Sequence, residues 1–138
     1  MRVPIETPNV TLRLTEDGII HALVREGADE TEASARHHAD LMFALAGGLR
    51  RPILVDLRKM RSMDRGARIV YSGPQGARYA IALALLVDSP LSRIIGNFFL
   101  SLNRSRLYPT RLFTSESDAL AWLFGFLPAT AAADAGSP

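Results

Sequence analysis

Val10, Leu12 and Leu14 alternate with polar neighbours, and Asp17-Gly18 separates them from a second β-like stretch over residues 19–25. Alternation with period two on both sides of an Asp-Gly turn predicts a β-hairpin at the start of the chain. The period then changes. Asp29 and Thr31 are capping types, Glu32 lies three after Asp29, and Leu41, Met42, Leu45 and Leu49 recur at helical spacing around the weak point Gly47-Gly48. This predicts a first helix over residues 30–48. Residues 53–57 read as a short strand, apolar except for Asp56, the pattern of a strand buried on both faces of a mostly parallel sheet. A second helix is expected from Asp64, broken at Gly73-Pro74, followed by a buried strand over 80–87.

Ser89-Pro90 marks the start of a third helix, with proline in its first turn. Its apolar positions are Leu91, Ile94, Ile95, Phe98, Phe99 and Leu102, and a loop is expected over 103–109. Residues 111–114 read as a short strand. The run Ser115-Glu116-Ser117-Asp118 resembles a capping box for a last helix ending near Leu127. The order is ββαβαβαβα, an α/β domain in which right-handed crossovers place helices over a mainly parallel sheet with the hairpin at one side. One domain spans 1–127. Residues 128–138, small and proline-containing, read as a disordered tail.

Length agrees with a single core, since 138 residues are too few for two. No cysteine is present, which removes disulfides, thiol catalysis and cysteine-held metals and suits a reducing cytoplasm. The first nine residues hold two prolines and a glutamate where a signal peptide needs an apolar core. The apolar run over 80–87 is far shorter than the ~20 residues that cross a bilayer. Neither export nor membrane insertion is expected.

Charge changes the picture more than its total of +2 suggests. Residues 1–48 carry four arginines against eight acids, residues 49–113 twelve cations against three acids, and residues 114–138 three acids and no cation. Lys59 is the one lysine of the chain, so the basic middle is arginine, which binds carboxylates and phosphates bidentately. A GC-rich genome would encode the same preference without any surface role.

Residues 52–68, PILVDLRKMRSMDRGAR, join strand, basic loop and helix start. With the element order, they resemble the STAS domain of bacterial anti-sigma-factor antagonists, whose signature reads roughly DLS-x-V-x-x-MD-S-S-G. Asp56, Leu57, Met60, Met63 and Asp64 match it. Together with LVDSPLSRIIGNFFLSLNR and TRLFTSESDALAWL, the run looks closest to the STAS/SEC14-like bacterial proteins, a group largely without assigned function. The resemblance covers most of residues 9–127. It implies a regulatory domain that docks partners, but the antagonists' phosphorylated serine falls where this chain has Arg65 and Gly66. Asp64 carries over and the phosphoserine switch does not. Ser62 precedes the helix, where a phosphate would still lie near the helix N-terminus.

Arg58, Lys59, Arg61 and Arg65 are expected at the carboxyl end of a strand and the start of a helix, with Arg68 one turn on. Free N–H groups and the helix dipole favour anions there. With Asp64 as helix cap, these residues form a candidate site for an acidic partner surface or an anionic ligand; a merely solvated face is the plain alternative.

Enzyme signatures are missing. No nucleophile elbow, phosphate loop or dinucleotide fingerprint appears. His37 and His38 are adjacent and project ~100° apart on a helix, so they cannot share a metal as histidines four apart do. His38 reads as a satisfied boundary histidine, Asp40 as solvated, and Tyr71 and Asp88 have no evident catalytic partner. No cofactor or metal is expected.

The third and last helices carry apolar residues outside one stripe. This means deep burial or a contact surface, and Phe98, Phe99 and Trp122 are the candidates for a homodimer contact. Two readings remain open: a non-catalytic interaction domain with an unidentified protein partner, or a small-ligand carrier for a lipid or nucleotide. The carrier needs a pocket on the order of 300–1,000 Å³. Nucleic acid is disfavoured because the basic segment lacks interleaved aromatics.

Overall fold

A computed structural model describes residues 3–71, 73–102 and 108–127, and only the backbone at 75, 99 and 102. The expected tail and most of the loop before Pro109 lie outside the described residues.

The hairpin forms as its alternation demands. Strands β2 (Val10–Leu14) and β3 (Ile20–Val24) pair antiparallel, Val10 opposite Val24, around a turn in which Gly18 takes φ +99°. That φ favours glycine because it lacks Cβ. A two-residue strand β1 (Ile5–Glu6) adds outside β2. Beyond β3 the sheet turns parallel, through β5 (Arg51–Asp56), β7 (Ala80–Leu86) and β8 (Thr110–Phe113), in spatial order β1-β2-β3-β5-β7-β8.

Side chains of β5 and β7 leave the sheet in both directions, which is why β7 and the middle of β5, residues 52–55, are continuously apolar. Ile53, Leu83 and Leu85 meet α1 (Glu32–Ala46), α2 (Arg65–Tyr71) and α3 (Pro90–Leu102) on one face; Leu54, Ala84 and Leu86 meet α4 (Glu116–Phe124) on the other. Each fully buried leucine stabilises the fold by about 1.5–3 kcal/mol. Among the described residues no helix is long and apolar enough to cross a membrane.

Local signals end the helices where the backbone needs partners. Ser115 caps α4 through the Asp118 amide at 3.3 Å, and Ser89 caps α3 through the Ser92 amide at 3.1 Å. The start of α1 corrects the sequence reading. Its capping box is Thr31 with Ser34, and Asp29 belongs to a strand.

That strand, β4 (Ala28–Glu30), pairs in parallel with β6 (Met60–Met63) as a separate two-stranded sheet. The stretch read as a basic loop is therefore largely a strand. Leu49, placed by its spacing on the first helix, lies beyond the Gly47 that ends α1 with φ +66° and is half exposed.

Helix α2 has seven residues, too few to hold by propensity alone. Packing compensates: Ala67 and Val70 are buried, and Gly66 lies so close to α1 that a Cβ added there would stand 2.7 Å from the Glu32 Cβ. Of the two positions where the antagonists' serine falls in the resemblance, Arg65 and Gly66, the second has no room for a side chain unless α2 or Glu32 shifts.

Candidate functional site

The six residues expected to form an anion site are dispersed over three tasks. Asp56, at the end of β5, is buried and accepts from Arg58 three times: backbone N at 3.1 Å and Nε at 2.9 Å to Oδ1, and Nη2 at 2.7 Å to Oδ2. Glu116, at the head of α4, lies 3.7 Å from the same guanidinium. Arg58 is therefore neutralised beside α4.

Arg61, on β6, forms a bidentate pair with Asp29 across the small sheet, and Ser62 donates to the same carboxylate at 2.6 Å. These hydrogen bonds, Arg61 first, hold the Asp29 carboxyl down to about 2. Asp64 caps α2 by accepting from the Ala67 amide at 2.8 Å.

Three cations remain without a carboxylate in ion-pair range among the described residues: Lys59, Arg65 and Arg68. Arg65, Arg68 and Ile69 share the solvent side of α2, opposite Ala67 and Val70. The Arg68 guanidinium carbon lies 5.9 Å from the Phe98 ring centroid, which ties this face to α3.

On α3 the stripe expected to be core is only partly so. Ile95 is buried, but Leu91 is 42% and Ile94 66% exposed; Ile69 on α2 is 60% exposed. Arg93, between Leu91 and Ile94 in the sequence, is exposed. Sequence spacing identified Leu91 and Ile94 as apolar positions without telling which helix face would meet the sheet.

The proposed dimer contacts do not come together. Phe98 packs on the sheet face under α1–α3, whereas Trp122 packs on the α4 face against Phe113 and Phe126, with ring centroids 5.6 Å and 4.8 Å away. The Phe99 side chain lies outside the described residues.

A second constellation is absent from the sequence reading. Glu30 and His38 are each only 2% exposed. Glu30 accepts from Asn9 at 3.2 Å, Ser34 at 2.8 Å and the Tyr71 hydroxyl; its second oxygen also meets His38 Nδ1 at 3.1 Å. The Nε2 of His38 lies 3.0 Å from the Thr7 hydroxyl. His38 is thus satisfied on both nitrogens, deeper than the boundary position expected of it.

Burial pushes the Glu30 carboxyl up, but the hydrogen bonds from His38, Tyr71 and Ser34 outweigh it and hold the group below its ordinary value. The same burial, with Glu30 adjacent, raises the Tyr71 phenol. The sign available in sequence was a histidine in line with Ala35 and Met42 on a buried face, which requires polar partners; it does not say which ones.

Beside this cluster, between the main sheet and α1–α2, lies a cavity of about 80 Å³ bordered by Ala22, Ala39, Tyr71, Tyr79 and Leu85. It is several-fold smaller than the roughly 300–1,000 Å³ of sites for drug-sized ligands. A lipid or nucleotide does not fit in it. Among the described residues no group of three or more metal-ligating side chains gathers.

A family model for a domain of unknown function matches residues 13–127. The chain belongs to the DUF7793 family. The DUF7793 chain is also similar to a crystal structure from Shewanella loihica PV-4, an uncharacterised protein of the DUF3478 family with a SpoIIAA-like fold. The TM-score is 0.60 and the identity 15%, over 83% of this chain and 91% of that one.

The STAS-like architecture expected from the sequence is therefore present in this DUF7793 domain, and at that identity the likeness concerns fold alone. A protein of unknown function from Arthrobacter sp. FB24 is 41% identical over 81% of this chain and 90% of its own, with a TM-score of 0.33. No curated protein matches.

Proposed function

We propose that this DUF7793 domain is a non-catalytic interaction module that docks a protein partner with an acidic and apolar segment across α2 and α3. The observation that carries the reading is the pairing of exposed Ile69, Leu91 and Ile94 with Lys59, Arg65 and Arg68, none of which has a carboxylate of its own among the described residues. Exposed apolar side chains favour burial against a partner and cations without a carboxylate favour a negative one, and the Arg68–Phe98 contact links the two helices that carry them. Arg58 and Arg61 drop out of the docking set because Asp56 and Asp29 already satisfy them.

The absence of a serine on α2, with Gly66 pressed against Glu32, supports control by partner availability instead of phosphorylation of that helix. The test is affinity capture from the source organism with wild-type protein, Arg65→Glu/Arg68→Glu and Ile94→Asp, followed by native mass spectrometry. A stoichiometric partner held by wild type, released by both variants and weakened by salt is expected. If every protein that binds wild type binds both variants equally, the docking face is elsewhere.

A further inference from the structure

We propose that the cavity under α1 and α2 is a binding site for a small uncharged molecule, apolar over most of its surface and carrying one hydrogen-bond acceptor for the Tyr79 hydroxyl. Protein interiors seldom keep voids larger than a water molecule. This one exists because small residues meet at it: Ala22 on β3, Ala39 on α1, Ala80 on β7 and Gly76 in the 3-10 turn Pro74–Arg78. A larger aliphatic side chain at Ala22 or Ala39 would fill it.

The polar groups on its wall define what can enter. Glu30 is saturated, with Asn9 and Ser34 on one oxygen and His38 and Tyr71 on the other. A carboxylate offers about four acceptor positions, so a cation would find them all taken. An anion would face the same buried negative charge without water to screen it. Neutral molecules remain.

Tyr79 is the polar group with capacity to spare: it is 5% exposed, and no hydrogen bond joins its hydroxyl to any described residue. Burial keeps the phenol protonated far above neutral pH, so it offers a donor. A hydroxyl with no partner among the described residues is free to donate to a guest in the cavity that its residue lines. At about 80 Å³ the space is about half of an engineered 150 Å³ cavity that holds benzene or xenon, which sets the size class. This inference does not depend on the docking reading.

The test is a titration of isotope-labelled protein with xenon and with acetonitrile, followed by amide shifts in wild type, Tyr79→Phe and Ala22→Val. Both probes should give saturable shifts around Ala22, Tyr71 and Leu85. Tyr79→Phe should weaken acetonitrile about tenfold, the worth of one neutral hydrogen bond, and leave xenon unchanged. Ala22→Val should weaken both. Lack of saturation by either probe, shifts centred elsewhere, or equal acetonitrile affinity in wild type and Tyr79→Phe would each overturn the assignment. Tyr79→Phe removes one oxygen and no packing, so it keeps the test valid should Ala22→Val not fold.

Discussion

Replacing Glu30 by glutamine keeps the shape of the side chain and removes its charge in the middle of a cluster that joins four parts of the chain. Thr7 precedes β2, Glu30 is on β4, His38 on α1 and Tyr71 at the end of α2. Glutamine retains one carbonyl oxygen, so at least two of the four donors now facing Glu30 meet an amide NH₂ instead. Each hydrogen bond to a charged group contributes about 1.5–3 kcal/mol, and two of them are lost. Glu30→Gln should therefore destabilise by about 3–5 kcal/mol, a large part of the roughly 5–15 kcal/mol of a typical domain.

Equilibrium unfolding in urea, followed through Trp122 fluorescence and circular dichroism, should show a lower midpoint at unchanged slope. The pH dependence has a defined sign. The folded carboxyl is held below its ordinary value of 4.5, so its contribution is complete above that value and is lost as pH falls through the lower folded value. The gap between wild type and variant should close as the pH falls below that value. A loss under about 1 kcal/mol at pH 7, or a gap that widens in acid, would refute the account of the cluster.

Gly66→Ser should lower stability by about 1–3 kcal/mol in thermal or urea unfolding, because its Cβ would collide with that of Glu32, although serine is the better helix former. A neutral result would mean that α2 shifts freely on α1. The Asp29 carboxyl should titrate near 2 by carbon NMR and return toward its ordinary value of 3.8 in Arg61→Ala, since the bidentate pair is the largest influence on it. An unchanged titration would remove that pair.

Much of the fold was legible in short windows. The Asp17-Gly18 turn, the apolar runs at 53–57 and 80–87, and Ser89, Ser115 and Asp64 as helix caps are signals between residues a few positions apart, and the backbone used them. The small sheet was not. Strands of three and four residues have no pattern of their own and gain meaning by pairing across some thirty positions, so Asp29 read as a cap and residues 60–63 as a loop.

The candidate site divided in the same way. Composition and order determined an arginine-rich stretch after a central strand, and the resemblance carried by Asp56, Leu57, Met60, Met63 and Asp64 implied a fold of STAS type. Tertiary structure alone decided that Asp56 and Asp29 would neutralise Arg58 and Arg61, that Arg65 and Arg68 would stay clear of carboxylates, and that Leu91 and Ile94 would face outward. It also decided that Glu30, His38, Tyr71 and Thr7 would meet in the core. Charge, hydropathy and capping tendency are properties of a residue and its near neighbours. Which partner satisfies a charge depends on which faces pack together, and that is settled only when the sheet and helices close around one core.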